Sequence, residues 1–386
     1  MRFSFAYDRQ QLANLKVVKE CRLWLKDGWI TAESFERMQQ TFPSACYHPN
    51  IMIRLLLSIA TLLALAGVLG ILGLMFHSLS EDLIFAGLLV YGGLGWWAAE
   101  KIFIGRHHYK SGVNEALIYH GCGFIIGGVA GLADGNEHVL AITATVVFAF
   151  AAFRYLDLLS TACAMGSFAL TLFYELYQVE ALRTFIPPVF IIVFLMVYLW
   201  TQKAKSKDPE QWWHHNLVVV EALSLLFVYA AGNYLVVRML SEELLDLYLA
   251  PGDDIPLAWF FYGTTVIIPL VYLYRGIRNK DVVMLRVSLL ALAFSVFTFK
   301  YYFSLNRPEL TLTSAGVVLI ALAMWLMHYL KKVRNGYTRE SIRSSRWAAV
   351  QAEALVISQT LGGTQAQPGK PFGGGTSGGG GAGTGF

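Results

Sequence analysis

Charge is scarce in this chain of 386 residues: Asp, Glu, Lys and Arg supply 15% of it, against 56% hydrophobic residues. Soluble domains usually carry about 25% charged residues, so the shortage argues against an ordinary soluble protein. Cysteine is scarce too. The four present form no CxxC, and Cys122 and Cys163 fall within long apolar runs, which argues against a disulfide framework or a zinc ribbon. The net charge of +4 is small and sits in connecting segments, so no nucleic-acid partner is expected. The signatures HExxH, GxSxG and GxxxxGK[ST] are missing, as is an aspartate-rich run suited to diphosphates, and this weakens the enzyme class. Asp134, Glu137 and His138 share one short turn, and His107, His108, His214 and His215 form two pairs. One short turn rarely encloses an ion, so neither a metal nor a cofactor is expected.

What the chain has instead is apolar length. Ten runs each approach the length needed to cross roughly 30 Å of hydrocarbon: 51–76, 82–100, 113–133, 137–156, 158–177, 184–200, 216–237, 257–274, 282–303 and 311–330. Only Arg154 and Asp157 divide the fourth from the fifth, and their spacing of three allows them to pair. The connections alternate in charge. One set holds Lys101, Arg106 and Lys110, then Arg154, then Lys203, Lys205 and Lys207, then Arg275, Arg278 and Lys280, then Lys331, Lys332 and Arg334. The other set is thin in cations, with Arg183, Arg238 and Arg307, and gathers Glu242, Glu243, Asp246, Asp253 and Asp254. Lysine and arginine collect on the cytoplasmic side of membrane proteins. The expected topology is therefore an all-α polytopic bundle of about ten spans with both termini cytoplasmic.

Four segments follow from this pattern: a helical hairpin over 1–50, a membrane domain over 51–330, a basic amphipathic juxtamembrane helix over 331–360 and a Gly-rich disordered tail over 361–386. In the hairpin, Leu12, Leu15, Val18 and Leu25 recur at helical spacing, Asp27-Gly28 ends the first helix, and Thr31 caps a second carrying Phe35, Met38 and Phe42. So short a unit buries little alone; besides the lipid bilayer, a cytosolic protein or a second copy is the partner expected for it. The paired aromatics Trp96, Trp97, Trp212 and Trp213 read as interfacial anchors. Residues 238–256 read as a short amphipathic helix ended by Pro251-Gly252.

Ionisable groups inside spans mark candidate function. The third span carries Glu115, His120 and a row of glycines, Gly123, Gly127, Gly131 and Gly135, four residues apart. Such a row suits close helix packing. At 100° per residue His120 projects within about 20° of Gly127, whereas Glu115 points about 120° away. Glu221 lies near the cytoplasmic end of the seventh span, with Asn233 toward its other end. Glu115, His120, Glu221 and Asn233 are thus the candidates for a substrate contact or a proton relay, against the plain alternative of interhelical hydrogen bonds.

LKDGWITAESFERM at 25–38, with its helix, Asp-Gly turn and Ile-Thr entry to a second helix, feeds glycine-rich early spans through about residue 150. In this it resembles bacterial multipass membrane proteins built around domain of unknown function 2157. The resemblance covers the first third, implies a bacterial inner-membrane location, and brings no activity or site residue with it. The leading functional expectation is a proton-coupled secondary transporter of a small molecule. The alternatives are a membrane scaffold or sensor working through its termini, and an intramembrane transferase.

Overall fold

The computed structural model describes residues 5–207, 212–243 and 254–302, with scattered positions between 316 and 331. Apart from those positions, the expected tenth span lies outside the described residues; so do residues 332–386 and most of the 238–256 connection. The described residues are all-α, with no strand among them beyond one isolated bridge pairing Tyr47 with His108.

The hairpin forms a unit of its own over Asp8–Cys46. It consists of α1 (Arg9–Lys26) and α2 (Ala32–Thr41). Asp8 accepts the Gln11 N–H and Thr31 accepts the Ser34 N–H, each satisfying a donor that the first helical turn leaves without a partner. Gly28 turns the chain at φ +77°, a conformation that a side chain would strain. Cys21, Ile30 and Met38 make the core, with Trp24, Phe35 and Phe42 against them, and burial pushes the Cys21 thiol pKa up. Of the expected segment 1–50, residues through Tyr7 and from Tyr47 group instead with the membrane unit, which extends to Val317.

The membrane unit contains α3 (Ile51–Phe76), α4 (Glu81–Ala98), α5 (Val113–Leu132), α6 (Glu137–Tyr155), α7 (Leu158–Gln178), α8 (Ile186–Ser206), α9 (His214–Gly232), α10 (Tyr234–Glu243), α11 (Ala258–Asn279) and α12 (Val282–Tyr302). Neighbours in sequence pair as hairpins: α4 with α5, α6 with α7, α8 with α9 and α11 with α12. Two helices act as hubs. α5 meets α3, α4 and α6, while α9 meets α7, α8, α11 and α12. α3 buries none of its residues, consistent with a helix that gives most of its surface to lipid.

Three expectations change. The row of glycines does not form the packing seam. A Cβ added at Gly123 or Gly127 would meet nothing within 4 Å, and Gly135 lies past the helix at φ +73°. Of the four only Gly131 packs tightly, against Phe85; the other close contacts come from Gly121 against Trp96 and Gly128 against Leu89 and the Phe85 carbonyl. The cause is geometric: each step of four residues advances about 40° around a helix, so the row spirals instead of holding one face, and only at Gly131 has it come round to α4. Trp96 accordingly fills this contact, donating to the Ile118 carbonyl at 3.0 Å, rather than serving as an anchor.

Secondly, Arg154 and Asp157 do not pair. Leu156 turns the chain at φ +53°, Asp157 caps α7 through the Ser160 N–H, and Arg154 grips Glu100 with Nε at 2.8 Å and Nη2 at 3.0 Å. Thirdly, the seventh span is broken. α9 ends at Gly232, Asn233 is extended, and α10 starts at Tyr234.

Candidate functional site

Glu115 stands in the first turn of α5. Gly112, at φ +93°, touches the α3 backbone so closely that a Cβ would strike the Arg54 carbonyl. That approach brings the Arg54 guanidinium alongside Glu115, which it holds in a fork, Nε to Oε2 at 2.7 Å and Nη2 to Oε1. A two-pronged pair of this kind fixes geometry as well as charge. One residue earlier, the Asn114 carbonyl oxygen accepts from the Ser111 N–H and hydroxyl, and its amide donates to the Tyr7 hydroxyl at 3.2 Å.

A turn further along α5, Tyr119 donates to Asp157 at 2.9 Å. Asn216 of α9 donates to Thr161 at 2.7 Å and to the Asp157 carbonyl at 3.1 Å. Phe5 and Ala6 close this end. Ala6 N–H donates to the Arg154 carbonyl at 2.9 Å, and the Phe5 ring sits 5.3 and 5.7 Å from those of Trp212 and Trp213. Tyr7 is buried, and burial drives its phenol pKa well up.

His120 is in a different environment. Its ring lies 4.5 Å from Tyr91 edge-on and 4.4 Å from Phe124, with Gly95 of α4 packed against it. Its Nε2 has no hydrogen-bond partner among the described residues.

Glu221 of α9 is fully buried, takes a hydrogen bond from Gln202 at 2.6 Å, and is ion-paired with Lys205 of α8. Asp281, which precedes α12, also faces it. Lys205 and Gln202 thus compensate Glu221 on one side, while Asp281 sets a second carboxylate against it.

Asn233 occupies the break between α9 and α10. Its amide nitrogen meets the Tyr229 and Thr298 hydroxyls, both at 3.0 Å, and its oxygen accepts from the Val236 N–H at 3.3 Å. Interrupting a helix within hydrocarbon frees backbone groups that need partners. Two threonines of α11 supply them: Thr264 donates to the Gly232 carbonyl at 2.6 Å and Thr265 accepts from the Tyr234 N–H at 2.9 Å. Beyond the break, Asp254 accepts from Tyr234 at 2.7 Å and Tyr262 at 2.8 Å, with Arg238 3.9 Å away. Burial works to raise its pKa, but these two bonds, the Ile255 N–H and Arg238 outweigh it and hold the carboxyl below its usual value.

The four residues nominated from sequence therefore have four separate sets of partners. A feature the sequence reading missed lies elsewhere. A groove of about 740 Å³ runs between α7, α8 and α9 toward α10, and its walls are overwhelmingly apolar. Gly166 and Ala169 of α7 face Ala230 and Ala231 of α9, and these small residues leave the space. Phe173, Pro187, Phe190 and Phe227 line it, and Tyr174, Tyr177 and Glu137 mark its polar rim. Across α9 a second groove of about 650 Å³ shares Phe227, Ala230 and Val236. The sequence signal was the run of small residues on two helices that proved to be facing. Among the described residues no group of three His, Cys, Asp or Glu is placed to hold a metal ion.

Nine helices among the described residues are long and apolar enough to cross a membrane, and the chain is a multi-pass membrane protein. No family model, curated protein or solved structure matches it, so the resemblance of its first third rests on sequence pattern alone.

Proposed function

We propose that this protein binds an amphiphile from the bilayer, lodging its apolar part in the groove between α7, α8 and α9. One observation carries the reading: a space of about 740 Å³, walled by aromatic and small side chains, with its few polar groups at one rim. Ligand sites of roughly 300–1,000 Å³ are built in this way. The bilayer itself supplies molecules of the right shape. By the charge bias of the connections the rim faces the outer side of a bacterial inner membrane, with both termini in the cytoplasm. Proton-coupled transport through Glu115, His120, Glu221 and Asn233 asks for one water-accessible space shared by all four. Their separate contacts give that relay no support, so the groove carries the proposal instead.

Gly166 offers the test. A Cβ there meets nothing within 4 Å, so Gly166→Phe fills the groove without displacing backbone. The full chain is to be extracted gently from its membrane and its retained lipid counted by native mass spectrometry. Wild type should hold lipid through delipidating washes that strip the variant, at unchanged thermal stability of the stripped proteins. Equal retention by the two sinks the proposal.

A further inference from the structure

Glu137 lies on the rim of the groove and Arg183 stands beside the rim against Tyr177, each held by a tyrosine of α7. Tyr174 and Tyr177 are three residues apart on α7, neighbours on one face at about 5–6 Å between Cβ atoms. Tyr174 hydrogen-bonds the carboxylate of Glu137, which is exposed at the start of α6. Arg183 lies over the Tyr177 ring, its guanidinium carbon 4.4 Å from the centroid, and its Nε donates to the Tyr177 carbonyl at 2.9 Å. Among the described residues no carboxylate is ion-paired with Arg183, not even Glu180 three positions before it. Nearby, His138 lies 3.6 Å from Glu175 and is bonded to Gln178.

We infer that the groove selects a zwitterionic phospholipid, with a primary ammonium on Glu137 and the phosphate on Arg183. The inference rests on the groove reading above. Guanidinium and phosphate match in planar, two-pronged hydrogen bonding. A carboxylate beside an aromatic ring, as Glu137 is beside Tyr174, suits an ammonium through charge and through the ring face. The headgroup that joins a phosphate to an amine by a two-carbon link presents both charges about one helical turn apart, comparable to the rise of three residues that separates Tyr174 from Tyr177 along α7. The apolar walls beside the rim select the lipid over its free headgroup, because chains and head are then satisfied together.

The experiment offers the full chain, in mixed micelles, equimolar phosphoethanolamine and phosphoglycerol lipids with identical acyl chains, and reads bound lipid by native mass spectrometry. Wild type should enrich the phosphoethanolamine lipid by roughly threefold, the scale of one exposed ion pair. Glu137→Gln should bring the ratio to about one while total lipid is kept, and Arg183→Gln should lower retention of both phospholipids. Free phosphoethanolamine at the same concentration should displace nothing. Wild type without headgroup preference, or a preference that survives Glu137→Gln, overturns the inference. If at the same time Gly166→Phe still strips the lipid, the groove reading stands and only its selectivity falls. If Gly166→Phe strips nothing, both fall.

Discussion

Gly127 and Gly128 are adjacent in the chain and opposite in consequence. Gly128 has the Leu89 side chain at 2.7 Å and the Phe85 carbonyl at 2.9 Å from where a Cβ would stand, whereas Gly127 has open space. Gly128→Val should therefore force α4 and α5 apart at a cost of about 1–3 kcal/mol. Gly127→Ala should leave stability unchanged or raise it, because alanine is the better helix former. Thermal unfolding of the purified protein checks both, and equal melting temperatures for the two variants would contradict the packing described. At this scale the sequence was legible only in part. It marked α5 as a glycine-rich helix that packs closely, but the face in contact depends on where Phe85, Leu89 and Trp96 of α4 fall. The same holds for ion pairs. Glu115 and Glu221 stand out in any reading of the chain, yet their partners Arg54 and Lys205 come from other helices.

Among elements, the break between α9 and α10 is the clearest departure from the sequence pattern. Residues 216–237 read as one apolar run because hydropathy registers composition and not backbone continuity. The Gly232-Asn233 pair is a helix-ending signal, but one that becomes a break only because Thr264 and Thr265 stand opposite to satisfy the freed groups. Asn233→Ala removes an acceptor for Val236 N–H and a partner for Thr298. Stranding those groups should cost about 1–3 kcal/mol, read as a lower melting temperature, and a variant as stable as wild type would show that the break does not depend on Asn233. The hairpin lies at the other extreme. Its glycine turn, the Thr31 cap and the apolar face of α2 are local and were readable, but on α1 the core takes Val17, Cys21 and Trp24 where the spacing pointed to Leu15 and Val18.

For the molecule as a whole, the lengths of the helices were legible and the space between them was not. Apolar runs announce spans directly, whereas the groove exists because small residues of α7 and α9, far apart in sequence, face each other. Orientation can be tested without reference to the groove. In a chain whose native cysteines are replaced, Val179→Cys should react with an impermeant thiol reagent in intact cells, and Lys207→Cys only after permeabilisation. The reverse pattern would invert the topology and open the groove to the inner leaflet.

The seating of residue 5 sets a schedule for biosynthesis. Phe5 leaves the ribosome roughly two hundred residues ahead of its aromatic partners Trp212 and Trp213. At about 5–20 residues per second Phe5 waits on the order of 10–40 s, while helix after helix enters the bilayer, before its seat exists. Closure of this end thus follows insertion of the six membrane helices α3–α8, and a bulky group attached next to Phe5 would interfere with it only after those six are already in place.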